Sequence, residues 1–132
     1  MSYDLEQENK EILARYKDLI SNTYRTLDEE HNKLIRKAFD IALDAHKDQR
    51  RKSGEPYIYH PIAVAKIVAT EIGLGATSIA CALLHDVIED SDYTYEDLKK
   101  IFGEKIANIV NGLTKISIMN HQNISVQSEN YR

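Results

Sequence analysis

The densest group of residues able to do chemistry lies in Ile79-Ala-Cys-Ala-Leu-Leu-His85-Asp86-Val-Ile-Glu89-Asp90, where an imidazole and three carboxylates follow directly on six apolar residues. Read as a helix, the 3.6-residue period puts Leu84, Val87 and Ile88 on one face and His85, Asp86 and Glu89 on another, with Asp90 one turn after Asp86. Like charges at this spacing repel by roughly a few tenths of a kcal/mol per pair on an exposed helix, and by more where the face is partly buried. A bound cation reverses that penalty, and imidazole with carboxylate suits a borderline divalent metal. The competing reading is a solvated helix end, which many charge clusters are. A His-Asp pair alone is weak ground for a metal, so a second histidine is needed.

His60 can supply it. It stands after a turn at the mouth of a helix, with Pro61 in the first turn, where a missing N–H is not needed. A segment over 62–72, the turn Gly73-Leu74-Gly75 and a second helix over 76–89 form an antiparallel pair, which brings the start of the first helix close to the end of the second. His60 and His85-Asp86 then converge. By itself, a histidine before proline is more often a helix-end cap or a satisfied core residue. His31 and His121 have no such context and are expected at the surface, while His46 lies on the apolar side of its helix and is expected to be structural. The basic run Lys47-Asp48-Gln49-Arg50-Arg51-Lys52 reads, on charge alone, as a solvated helix end.

The elements that must position these groups are helical. The chain of 132 residues has two prolines and five glycines. Its apolar residues recur at three and four rather than at two, which gives an all-α domain. Leu34, Ile35, Ala38, Ile41, Ala42 and Ala45 mark one face of a helix over about 28–49, with Thr26 and Glu29 resembling its capping box. Thr94 and Asp97 form another capping box, Gly103 divides two short helices, and Ile106, Ile109, Val110 and Leu113 stripe the second. Residues 117–125 read as a polar loop, and residues 127–132 begin a helix that carries no stop signal, as expected of a truncated chain. Residues 1–27, with Leu5, Ile12, Leu13, Tyr16 and Leu19 at helical spacing, are expected to be a helical extension docked outside the main core, with the principal domain over 28–132.

Composition narrows the function. A net charge of −4 gives no general attraction for nucleic acid, so any phosphate ligand must be caught locally. The longest apolar run, Ile79 to Leu84, is too short to cross a bilayer. The acidic start lacks the order of a secretory signal, and the single Cys81 fits a reducing cytoplasm and reads as a small buried hydrophobe.

Four motifs in order, Arg51-Lys-Ser-Gly-Glu-Pro-Tyr-Ile-Tyr-His60-Pro61, Ala82-Leu-Leu-His85-Asp86-Val-Ile-Glu89-Asp90, Phe102-Gly103-Glu104 and Gly112-Leu-Thr114-Lys115, resemble the hydrolase domain of the RelA/SpoT family over roughly residues 30 to 132. That resemblance implies a helical histidine-aspartate (HD) bundle, incomplete here at its C-terminus. It implies removal of the 3′-pyrophosphate from guanosine tetra- or pentaphosphate, the alarmones of the stringent response, giving GDP or GTP. His60, His85 and Asp86 would ligate one divalent ion, usually manganese, and Glu89 and Asp90 would handle the attacking water and the pyrophosphate. Arg51 would stack on guanine, with Lys52 and Ser53 lining the pocket.

The family's fourth ligand, an aspartate in an Ala-Asp-Arg-Leu-His-Asn-like segment, has no counterpart in this sequence, and neither do its asparagine and threonine of the guanine pocket. The chain alone is therefore expected to be inactive. Its helical extension leans toward a long parent that also carries a synthetase. Two other readings stand beside this one. The first is an HD phosphohydrolase acting on dNTPs or cyclic nucleotides, against which the Arg51-Lys-Ser-Gly-Glu-Pro motif speaks. The second is a catalytically silent nucleotide sensor, against which the intact His60, His85, Asp86, Glu89 and Asp90 speak.

Overall fold

A computed structural model describes residues 4–23, 28–72 and 74–115, and among these the regular elements are helices. Helix α1, Leu5–Ser21, starts at Asp4, whose carboxylate accepts the Gln7 amide at 3.0 Å. Contrary to the peripheral position expected, α1 buries Ile12, Tyr16 and Leu19 in the same cluster as the rest of the molecule, and the Tyr16 ring stacks on Phe39 at 4.3 Å.

Helix α2, Glu29–Ala45, is capped by Asp28, which accepts the His31 amide at 2.8 Å; the Thr26 expected to open it lies outside the described residues. It ends four residues before the expected Gln49, because His46 to Gln49 close into a turn (Gln49 N–H to the His46 carbonyl, 3.0 Å). The Gln49 amide then reaches across to the Asp90 carbonyl. Helix α3, Tyr59–Ile67, runs straight into a wider, π-helical turn, Val68–Ile72, rather than continuing as one regular helix. Gly73 lies outside the described residues, and Gly75, in extended conformation, precedes α4, Ala76–Leu84.

Helix α4 is the axis of the core. Ala76, Ile79, Ala80, Cys81, Ala82, Leu83 and Leu84 are all buried, so from Ile79 on it is apolar on every side, and α2 and α3 cover it. Cys81 behaves as the expected buried hydrophobe, its thiol pushed up to about 11 by burial. After the short α5, Val87–Asp90, the Thr94–Asp97 capping box opens α6, Tyr95–Phe102, with both reciprocal bonds formed. Gly103 follows at φ 95, and α7 takes residues 104–115. Its core face is Ile106, Ala107, Val110 and Thr114, spaced by four; Ile109 and Leu113, expected in the buried stripe, lie on a neighbouring, half-exposed edge among the described residues.

No helix among the described residues is long and apolar enough to cross a membrane.

Candidate metal centre

The helix expected over 76–89 breaks at its chemically interesting residues. Helix α4 stops at Leu84, and the His85 N–H bonds the Ala82 carbonyl, a tightened last turn. Asp86, at φ −102 and ψ 0, occupies the sparsely allowed bridge region and precedes α5, its carbonyl accepting the Asp90 N–H at 2.9 Å. A single regular helix turns consecutive side chains about 100° apart. The break instead lets His85 and Asp86 face one another, with Nε2 of His85 3.0 Å from Oδ2 of Asp86.

His60, in the first turn of α3, completes the group. Its Nε2 lies 3.8 Å from the same Asp86 oxygen and its ring 5.3 Å from that of His85, so the start of α3 and the end of α4 meet as the antiparallel pairing requires. One ligand atom from each of His60, His85 and Asp86 falls within 4.8 Å of the other two. Donors bound at about 2.0–2.2 Å to one ion stand roughly 3–4 Å apart, so small side-chain rotations bring this set to a divalent cation.

The surroundings fit that donor set. Nδ1 of His85 lies 2.6 Å from the Ala82 carbonyl, which can only accept; Nδ1 therefore carries a proton, and Nε2, turned to the cluster, is the atom that a metal would take once its own proton is lost. The Tyr57 hydroxyl donates to Oδ2 of Asp86 at 2.6 Å. Burial by itself would raise the Asp86 carboxyl, but hydrogen bonds from His85 and Tyr57 and the charges of the two histidines outweigh it and hold it at about 2. Asp86 is thus anionic over the physiological range. Burial, and then the His85 charge, push His60 below its ordinary value, toward the neutral form that ligates. His85 moves the other way: burial opposes, yet its bonds to Asp86 and the Ala82 carbonyl prevail.

Tyr57, inside Gly-Glu-Pro-Tyr, joins the candidate site through its bond to Asp86, although its residue type and spacing did not single it out. Its hydroxyl is pushed well above the ordinary phenol value by burial and by the bond to Asp86. Its ring rests on His46 at 4.8 Å. His46 is 2% exposed and bonds Gln49 through Nδ1, so it is structural, as expected, and it props Tyr57. His31 is exposed beside Asp28, as expected, and His121 lies outside the described residues.

Arg51, Lys52 and Ser53 do not belong to a helix end. They project from a small loop closed by an antiparallel bridge between Arg50 and Pro56, with Arg51 N–H on the Glu55 carbonyl at 2.9 Å and Gly54 N–H on the Arg51 carbonyl at 2.8 Å. Gly54 sits at φ 93, a conformation that only glycine takes readily. All three side chains are exposed, and the Arg51 charge reaches far enough to act on both Tyr57 and His60. Both carboxylates on α5 are exposed; partial burial and then the Asp86 charge raise Asp90 above its ordinary value. Glu89 is exposed and makes no hydrogen bond or ion pair among the described residues.

The HD domain family pattern matches residues 38–132, the stretch that contains His60, His85 and Asp86. The chain belongs to the HD domain family. Among relatives of this HD domain, guanosine-3′,5′-bis(diphosphate) 3′-pyrophosphohydrolase of Aquifex aeolicus is 47% identical over 103 residues, 78% of this chain and 14% of that protein. The bifunctional (p)ppGpp synthase/hydrolase SpoT of Escherichia coli is 45% identical over 107 residues, 80% of this chain and 15% of its own length. The Haemophilus influenzae guanosine-3′,5′-bis(diphosphate) 3′-pyrophosphohydrolase is 50% identical over 93 residues. The chain spans only 14–15% of the length of these three relatives.

Proposed function

We propose that the complete protein is a metal-dependent pyrophosphohydrolase that takes the 3′-pyrophosphate from guanosine tetra- or pentaphosphate and leaves GDP or GTP. The observation that carries this reading is the convergence of His60, His85 and Asp86 within 4.8 Å, beside the exposed Arg51-Lys52-Ser53 loop, in a chain whose relatives are named for that activity.

In this reading His60, His85 and Asp86 hold one divalent ion, manganese, through two nitrogens and one carboxylate oxygen. When bound, such an ion lowers the pKa of a coordinated water to about 7 and offsets charge on the departing phosphate. Asp86 is kept anionic and oriented by Tyr57. Asp90, its proton held more tightly than in an ordinary carboxyl, and Glu89, exposed one residue before it, orient the attacking water and take its proton. Arg51 lays its planar cation on the guanine, which a lysine could not do as well, and Lys52 and Ser53 line the nucleotide pocket. A soluble guanine nucleotide as substrate places the protein in the cytoplasm. The likeness to a bifunctional synthase/hydrolase extends the proposal to a parent with a second, synthetic activity.

The test is to incubate the complete protein with ppGpp and Mn²⁺ and follow GDP and pyrophosphate. Unchanged ppGpp under conditions where a dNTP or a cyclic nucleotide is consumed would sink this reading in favour of another HD phosphohydrolase.

A further inference from the structure

Outside the histidine-aspartate cluster, the most fully built polar contact joins residues 42 apart in the chain. One guanidinium nitrogen of Arg50 donates to Oε2 of Glu8 at 2.8 Å and the other to Oε1 at 2.7 Å, a two-pronged match of fork to carboxylate. The first nitrogen also donates to the Gly54 carbonyl at 2.7 Å. Arg50 therefore reaches into the 51–55 loop from one side while α1 grips it from the other. The two side chains are 26% and 20% exposed, unlike the half-exposed ion pairs along α1 and α2 that contribute little. The hydrogen bond from Arg50 holds the Glu8 carboxyl below its ordinary value.

The rest of α1 is fixed independently. The Arg15 guanidinium lies over the Tyr59 ring at 3.9 Å and Asp18 pairs with Lys66, both contacts to α3 rather than to the loop. Glu8 thus stands on a helix anchored to the element that carries His60, and from there it sets the carbonyl of the one residue in the loop that needs a positive φ.

We propose that Glu8, acting through Arg50, is a positioning residue that holds the Arg51-Lys52-Ser53 loop in the shape that receives the guanine nucleotide; this rests on the hydrolase reading above. Without the latch the loop must be ordered by the ligand, and the cost of ordering is taken from binding rather than from the chemical step.

The experiment compares Glu8→Ala, Glu8→Gln and Asp18→Ala in the complete protein, reading KM and kcat for ppGpp with Mn²⁺ and the amide exchange of residues 51–55. Glu8→Ala should raise KM about fivefold with kcat within about twofold, and speed exchange at Arg51 and Gly54. Glu8→Gln, which keeps one acceptor, should fall between it and the wild type. Asp18→Ala, which loosens α1 elsewhere, should leave KM and loop exchange alone. Wild-type KM and exchange in Glu8→Ala overturn the latch, as does an Asp18→Ala variant that reproduces the Glu8→Ala effect. A wild-type protein without ppGpp turnover overturns the hydrolase reading instead; faster loop exchange in Glu8→Ala then upholds the latch, and unchanged exchange removes it as well.

Discussion

The phenolic oxygen of Tyr57 lies 2.6 Å from Oδ2 of Asp86, the same oxygen that Nε2 of His85 faces at 3.0 Å and Nε2 of His60 at 3.8 Å. One carboxylate oxygen is thereby the meeting point of α4, α3 and the loop before α3. Groups that orient a ligating carboxylate typically contribute about 10–100-fold to metal affinity. Tyr57→Phe should accordingly weaken Mn²⁺ binding about tenfold while lowering stability by about 1 kcal/mol. Calorimetric titration beside denaturant unfolding separates the two, and an unaltered metal affinity would show that Asp86 needs no such support.

Acid should find the same carboxylate. Asp86 is held at about 2 against an ordinary 3.8, a depressed value, so its contribution is complete above the ordinary value and disappears as pH falls through the lowered one. In the ion-free protein, stability should therefore drop between about pH 4 and 2 more steeply than in Asp86→Asn. Glu8, Asp18 and Asp44 are also lowered, which is why the difference between the two curves is the quantity to measure by urea midpoints. Parallel curves down to the acid end would remove Asp86 from the account.

Arg51→Ala tests the nucleotide-binding role proposed for the 51–53 loop. The side chain is exposed and its ion partner Glu55 is 3.9 Å away, so its loss should change stability by less than about 1 kcal/mol. KM for ppGpp should rise about tenfold with Mn²⁺ affinity unchanged. A fall in melting temperature with wild-type kinetics would make Arg51 a structural residue.

Counting donors gives an expectation for the 132-residue chain by itself. His60, His85 and Asp86 offer three protein ligands, one of them charged, where the family resemblance implies a fourth carboxylate. The isolated chain should bind Mn²⁺ about 10–100-fold more weakly than the complete protein and show no appreciable ppGpp hydrolysis. Tight, stoichiometric binding with comparable turnover would make the fourth ligand dispensable.

Gly103, between α6 and α7, has φ 95 and ψ 167, a region essentially reserved for glycine, although a Cβ there would meet nothing within 4 Å. Gly103→Ala should therefore destabilise through the backbone alone, by about 1–3 kcal/mol. Thermal unfolding measures it, and a neutral result would mean the turn relaxes without loss.

What could be read from the residues was the helical period, the capping box at Thr94 and the convergence of His60 with His85-Asp86, because each depends on short-range spacing or on one antiparallel turn. What could not be read depends on particular backbone torsions or on contacts between distant segments. Nothing in the apolar run before His85 announces that Asp86 leaves the helix. The Tyr57 hydroxyl finds its acceptor 29 residues on, and Arg50, which by charge alone belonged to a solvated run, is engaged by a glutamate 42 residues earlier. The same holds for α1: its apolar spacing shows that it buries a face but not against what.

The HD domain pattern begins at residue 38, inside α2, whereas the core around α4 also draws on Ile12, Tyr16, Leu19 and Ile35. Homology and cooperativity thus set different borders. A protein trimmed to the shared pattern would keep all three candidate ligands and still leave Phe39 without Tyr16 and Arg50 without Glu8. The stretch ahead of the pattern holds none of those ligands, yet it covers part of the core of the stretch that does.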